Sequence, residues 1–106
     1  MPTHELAEDG HVVASCTWTA WPRQPGVVQL LDTHVEEGRR RQGLGGRVLS
    51  EAIGRMDRPR RLVAMVDQPE VVVRAWLQRN GFVHVHTLTN LSGGDTETMV
   101  LVRTFE

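Results

Sequence analysis

The hydrophobic period of this chain changes twice between residues 27 and 66, and that change restricts the fold more than any other feature. Val27 to Val35 is apolar and β-branched, as a buried strand is, with Asp32 and His34 interrupting it on one face. After Gly43, the residues Leu44, Val48, Leu49, Ala52, Ile53 and Met56 follow helical spacing. Asp57-Arg58-Pro59 stops that helix, because the residue before a proline avoids the α region. Arg61 to Val66 reads as a strand again. A strand, a helix and a strand in series require parallel pairing and a right-handed crossover.

The flanking segments add hairpins. Thr3 to Ala7 reads as a short strand, and Asp9-Gly10 is a tight-turn pair. His11 to Trp21 alternates, with Val12, Ala14, Cys16, Trp18 and Ala20 on one face. Pro22, Pro25 and Gly26 form the next loop. Asp67-Gln68-Pro69-Glu70 looks like a helix start with Asp67 as the cap. Val73, Trp76, Leu77 and Asn80 share one face of that helix, and Gly81 ends it. Phe82 to Thr89 and Thr96 to Phe105 are the last strands, joined by a loop containing Ser92 to Asp95. The order β-β-β-α-β-α-β-β predicts an α/β fold on one mixed sheet, with residues 1–106 as a single domain.

Charge and cysteine content narrow the function. The net charge of −1 argues against a protein whose main task is to coat nucleic acid. No apolar run is long enough to span a bilayer. The first ten residues are acidic and polar, unlike a secretory signal. Cys16 stands alone, which excludes an internal disulfide and a cysteine zinc cluster; a reducing, cytoplasmic setting is expected. All twelve basic residues are arginine, and tyrosine is absent.

At the strand-to-helix junction three arginines, Arg39 to Arg41, precede three glycines, Gly43, Gly45 and Gly46. A helix N-terminus presents unpaired N–H groups and a partial positive charge, which suit a phosphate group. Glycines let a diphosphate reach the backbone without meeting a Cβ. Two other phosphate loops do not fit. The dinucleotide fingerprint needs a third glycine where Val48 stands, and a P-loop needs a lysine that this chain lacks.

Arg40-Arg41-Gln42-Gly43-Leu44-Gly45 resembles the R/Q-x-x-G-x-G/A motif of the GNAT N-acetyltransferases. Val35 lies five residues before Arg40, where that family ends the preceding strand. Ala75 to Phe82 resembles the helix and Gly-Phe segment that closes the family's core, and the resemblance covers about residues 11–106. It implies acetyl-CoA as co-substrate, a primary amine as acceptor, and no metal. Val35, Arg40, Arg41, Gln42, Gly43, Leu44, Gly45 and Gly46 would contact the cofactor. The main-chain amides of Arg41 to Gly46 would hold the pyrophosphate, and Val35 would bond the pantetheine arm. The strands at Val27 and Arg61 would splay into a slot for the thioester, and a backbone N–H near Val35 would polarise its carbonyl.

The resemblance also has departures. Leu77 occupies the place of a tyrosine that protonates the leaving thiolate in the family, which leaves water or Cys16. Glu70 replaces a common asparagine. The short Glu8-Asp9-Gly10 turn stands where two helices usually wall the acceptor site. These departures set a second reading beside the enzyme: an acyl-CoA-binding module without catalysis, acting as a sensor or partner subunit.

An ammonium acceptor needs a general base. Asp32 and His34, alternating onto one strand face beside the slot, are the candidates. His84 and His86 are expected to share a face across it; as an i,i+2 pair they supply only two metal ligands. Trp18, Trp21 and Trp76 read as core or interface aromatics. Arg58, Arg60 and Arg61 read as a solvated turn, and Cys16 as an inert buried thiol. A homodimer would cover exposed strand edges.

Overall fold

The computed structural model describes residues 1–39, 42–89 and 96–105. Its elements are β1 (Thr3–Glu8), β2 (His11–Ala20), β3 (Val27–Val35), α1 (Leu44–Arg55), β4 (Arg61–Asp67), α2 (Val71–Arg79), β5 (Val83–Leu88) and β6 (Thr98–Thr104). The six strands form one mixed sheet in the order β1-β2-β3-β4-β6-β5. Only β3 and β4 pair in parallel, as the intervening helix demands. Asp9 (φ 52°) and Gly10 (φ 77°) both take the left-handed conformation that a two-residue hairpin turn requires.

The β3–β4 ladder runs from Val27↔Arg61 to Leu30↔Ala64 and stops there. Beyond it β3 continues to Val35 along β2, and β4 continues to Asp67 along β6. The cause of the parting lies in β3. Thr17 pairs with Asp32 and Trp18 with Leu30, so Leu31 is an extra residue. Such a bulge bends its strand and re-aims the residues after it. The bend falls where the parallel ladder ends, and the two arms open into a V.

Ala14, Cys16, Trp18, Leu30, Leu62, Ala64 and Leu101 form the buried face of the sheet with Leu44, Val48, Leu49 and Ala52 of α1. The face predicted for β2 is corrected by a bulge opposite β1. Leu6 pairs with Ala14 and Ala7 with Val12, so Val13 is the extra residue; it is buried and Val12 is exposed. Asp67 belongs to β4 and does not cap α2. Its carboxylate accepts a hydrogen bond from Thr98 Oγ1 at 3.2 Å, and Glu70 is the N-cap with no side-chain bond of its own. Of the predicted α2 stripe only Leu77 is fully buried, while Val73 is exposed. The loop at Ser92 to Asp95 lies outside the described residues. No helix among the described residues is long and apolar enough to cross a membrane.

Candidate functional site: a splayed strand pair beneath a bare helix end

Helix α1 follows β3 after residues 36–43, which leave the sheet at the open end of the V. Its N-cap is Gly43 at φ 75°, with no side-chain cap bond and no acidic residue in the first turn. The N–H of Arg47 bonds to the Gly43 carbonyl at 3.0 Å. The N–H groups of Leu44, Gly45 and Gly46, ahead of it, therefore have no acceptor one turn back in the helix. The helix end stays electropositive.

The three glycines are not equivalent. A Cβ on Gly43 would meet nothing within 4 Å, so that position is open and its glycine answers to the positive φ. A Cβ on Gly45 would lie 2.8 Å from Trp76 Nε1, and one on Gly46 would lie 3.5 Å from Asn80 Oδ1. The space beside Gly45 is filled by the α2 indole, so packing against Trp76 also requires a glycine there. The space beside Gly43 is open.

The arginines also divide. Arg39 donates from Nη2 to Glu8 Oε2 at 2.5 Å and from Nε to Gln42 Oε1 at 3.1 Å. It ties the end of β1 to the residue before Gly43. On the same side His11 Nε2 and Glu36 Oε1 lie 2.8 Å apart. Arg40 and Arg41 lie outside the described residues.

Val35 ends β3 opposite Ala14, packed partly against the core. Asp32 pairs with Thr17 and His34 with Ser15, which puts both on the helix-free face, and both are exposed. Leu31 and Met65 are the first residues past the last rung on either arm. Both are apolar and exposed, at 40% and 41%. Thr33 points to the opposite face, where its Oγ1 lies 3.9 Å from Cys16 Sγ.

One expectation fails here, the shared face of the β5 histidines, and the buried state expected of Cys16 is observed. Cys16 is fully buried, and burial pushes its thiol up, with the Thr33 hydrogen bond opposing and the Asp32 charge adding to the rise. His84 pairs with Leu101 and His86 with Val100, so a bulge at Val85 puts the two histidines on opposite faces. His84 Nε2 instead sits 2.9 Å from Thr87 Oγ1. Leu77, in the expected tyrosine position, is a core residue at 2% exposure. Among the described residues no three His, Cys, Asp or Glu side chains are placed to hold a metal ion.

Sequence reasoning missed Glu8, Leu31 and Asn80. A bulge has no signature in a single strand, and the Glu8–Arg39 pair joins residues 31 apart. Asn80 was read as part of one face of α2, with no sign that it lies beside Gly46.

A family model described as the acetyltransferase (GNAT) family matches residues 3–82. Among curated protein sequences none matches the chain. Solved structures show the same fold. A GNAT-family protein from Desulfovibrio desulfuricans superposes with a TM-score of 0.90 at 20% identity, over 96% of this chain and 68% of that one. The ribosomal-protein-S18-alanine N-acetyltransferase of Escherichia coli gives 0.79 at 18% identity, over 97% and 68%. A GNAT family acetyltransferase from Elizabethkingia anophelis with acetyl-CoA bound gives 0.82 at 14% identity, over 97% and 75%. At these identities the likeness is one of fold. The chain spans about two thirds of the length of the first two structures.

Proposed function

The chain belongs to the GNAT acetyltransferase family, and on that premise we propose that it transfers an acetyl group from acetyl-CoA to a primary amine. The observation that carries the reading is the end of the β3–β4 ladder at Leu30↔Ala64, with an α1 end without a cap next in the chain after the free arm of β3. A slot between strands and a bare helix end in series suit a long ligand with a diphosphate in its middle.

Acetyl-CoA supplies the acetyl group as a thioester, which a neutral amine attacks; an amide forms and the thiol leaves. The chain's own part is binding, orientation and proton removal. The N–H groups of Leu44, Gly45 and Gly46 hold the diphosphate, over the open position at Gly43. Arg40, Arg41 and Gln42 precede Gly43 in the sequence, and the two arginines bring positive charge that attracts an anion. A groove of about 450 Å3 between α1 and α2, bordered by Gly46, Ser50, Arg79 and Asn80, leads away from the cradle and suits the nucleotide half. The backbone of β3 past Leu30, Val35 included, has no β4 partner and can bond the pantetheine arm as a strand would.

The acceptor approaches from the helix-free face, where Asp32 and His34 stand exposed. Either can take the proton of an ammonium group there. No tyrosine exists in the chain, and neither Cys16 nor Leu77 can protonate the leaving thiolate, so water does so. Positioning and polarisation of the thioester carbonyl supply the rest of the rate.

The same lack of a proton donor favours a second reading, a CoA-binding module without turnover. One experiment separates the two. Calorimetric titration with coenzyme A reports the cradle, and release of free thiol from acetyl-CoA with a panel of amines reports transfer. Heat with thiol release supports the enzyme. Heat without release across the panel supports the module. No heat removes both.

A further inference from the structure

The fold gathers a second set of arginines at the end of the sheet opposite the cradle. Arg58, Arg60 and Arg61 lie in and after the loop that joins α1 to β4. Arg55, in the last turn of α1, and Arg23, in the loop between β2 and β3, come to the same end because α1 and β3 run in opposite directions. All five are exposed, and none is ion-paired with a carboxylate among the described residues. Asp57 is the one acid in these connections. The net charge of −1 thus conceals a local excess of positive charge at this end.

The arginines surround a concavity. A cavity of about 470 Å3 opens between Gln24, Val27, Arg60, Arg61, Thr104 and Phe105. Arg60 is held in place there. Its stem lies over Gly26, where a Cβ would come within 2.7 Å of it, and its N–H bonds to the Gly26 carbonyl at 2.7 Å. The Phe105 ring is half-buried and carries the Arg103 guanidinium 5.0 Å from its centroid.

We propose that this end binds a single strand of nucleic acid, with phosphates against Arg23, Arg58, Arg60 and Arg61 and one base in the cavity beside Phe105. The arginines are spread over two loops around one cavity, which suits a ligand that carries several anions in a row. The guanidinium fork matches phosphate in two-bond geometry. A ring beside the charged groups is the second ingredient of single-strand binding, since every base has a face to stack. An acidic peptide would satisfy the arginines and leave the ring and the cavity unused.

The test uses the full chain and a fluorescein-labelled RNA of twelve mixed nucleotides, read by fluorescence anisotropy at 50 and 200 mM salt. About four phosphate contacts predict an affinity loss of roughly 50-fold between the two salt concentrations. The double variant Arg23→Ser/Arg58→Asn keeps a residue tolerant of positive φ at position 58, where φ is 44°. It should bind RNA at least tenfold more weakly while its coenzyme A titration is unchanged. Phe105→Leu should weaken RNA binding with no change in the salt slope.

Four results would overturn the proposal. They are no anisotropy change at 50 mM salt, no salt dependence, displacement of the RNA by coenzyme A at the concentration that fills the cradle, and displacement by polyglutamate as effective as by unlabelled RNA. The last would reassign the surface to an acidic protein. Should the double variant fail to fold, the wild-type salt slope and the two competitions still decide.

Discussion

The indole of Trp76 occupies the space where a side chain at Gly45 would begin: a Cβ there would stand 2.8 Å from Nε1. The contact joins α2 to the first turn of α1, the turn whose N–H groups face the proposed diphosphate. Gly45→Ala should therefore force the two helices apart, at a cost of about 1–3 kcal/mol, and lower coenzyme A affinity at least tenfold. Trp76→Leu introduced into the same chain should recover much of the thermal stability. Calorimetry and thermal denaturation of the single and double variants check this.

Gly43 should behave differently. Its surroundings are empty, so Gly43→Ala pays only the left-handed backbone cost of about 1–2 kcal/mol. Its methyl group would enter the cradle itself. Coenzyme A binding should fall more than stability does, and Trp76→Leu should not restore it.

Glu8 is predicted to position the cradle through Arg39 and Gln42. Exposed ion pairs contribute about 0.2–1 kcal/mol. Glu8→Gln should thus raise KM for acetyl-CoA by roughly 1.5- to 5-fold and leave kcat unchanged. Exchange of the charges, Glu8→Arg with Arg39→Glu, should restore KM in part. A fall in kcat instead would mean that Glu8 acts elsewhere.

Asp32 and His34 are separable by rate. Removal of the group that takes the acceptor's proton should lower kcat/KM by about 10²–10⁴-fold near neutral pH. Removal of the other should cost less than tenfold. Asp32→Asn and His34→Gln, assayed from pH 6 to 10, identify which is which. Equal and small losses in both would mean that the amine arrives already neutral.

Glu51 joins α1 to β1. Its carboxylate receives Arg47 Nε at 2.9 Å and lies 3.0 Å from Nε2 of the buried His4. The Arg47 hydrogen bond, then the His4 contact, hold its pKa below the ordinary 4.5. A depressed carboxylate pKa stabilises the fold above its unfolded value, and that contribution is lost as the pH falls through the lower folded value. Glu51→Gln should reduce stability at pH 7 and flatten its decline below pH 4.5. Urea melts at pH 7, 4.5 and 3 measure both effects.

The elements were largely legible in the sequence. β3 runs over Val27–Val35 as its β-branched run indicates, and α1 starts after Gly43 where the period changes. Local signals failed where a residue was added to a strand. The bulges at Val13, Leu31 and Val85 shift the face of everything beyond them, which is why Val12 turned outward and the two β5 histidines separated. The cradle was legible as a glycine and arginine pattern, but the division of labour within it was not. That Gly45 serves an indole and Gly43 serves a turn depends on Trp76 of α2, 31 residues beyond Gly45, which no local pattern reports.

The parting of β3 from β4 has a consequence for the life of the protein between turnovers. A strand flank without a neighbour, set inside a sheet, is adhesive, and any extended peptide of suitable length can lodge there. Coenzyme A held along β3, as proposed above, would double as a stopper. When the cell's acyl donor runs low, the empty chain should be the form that clumps, and replenishment should keep it dispersed.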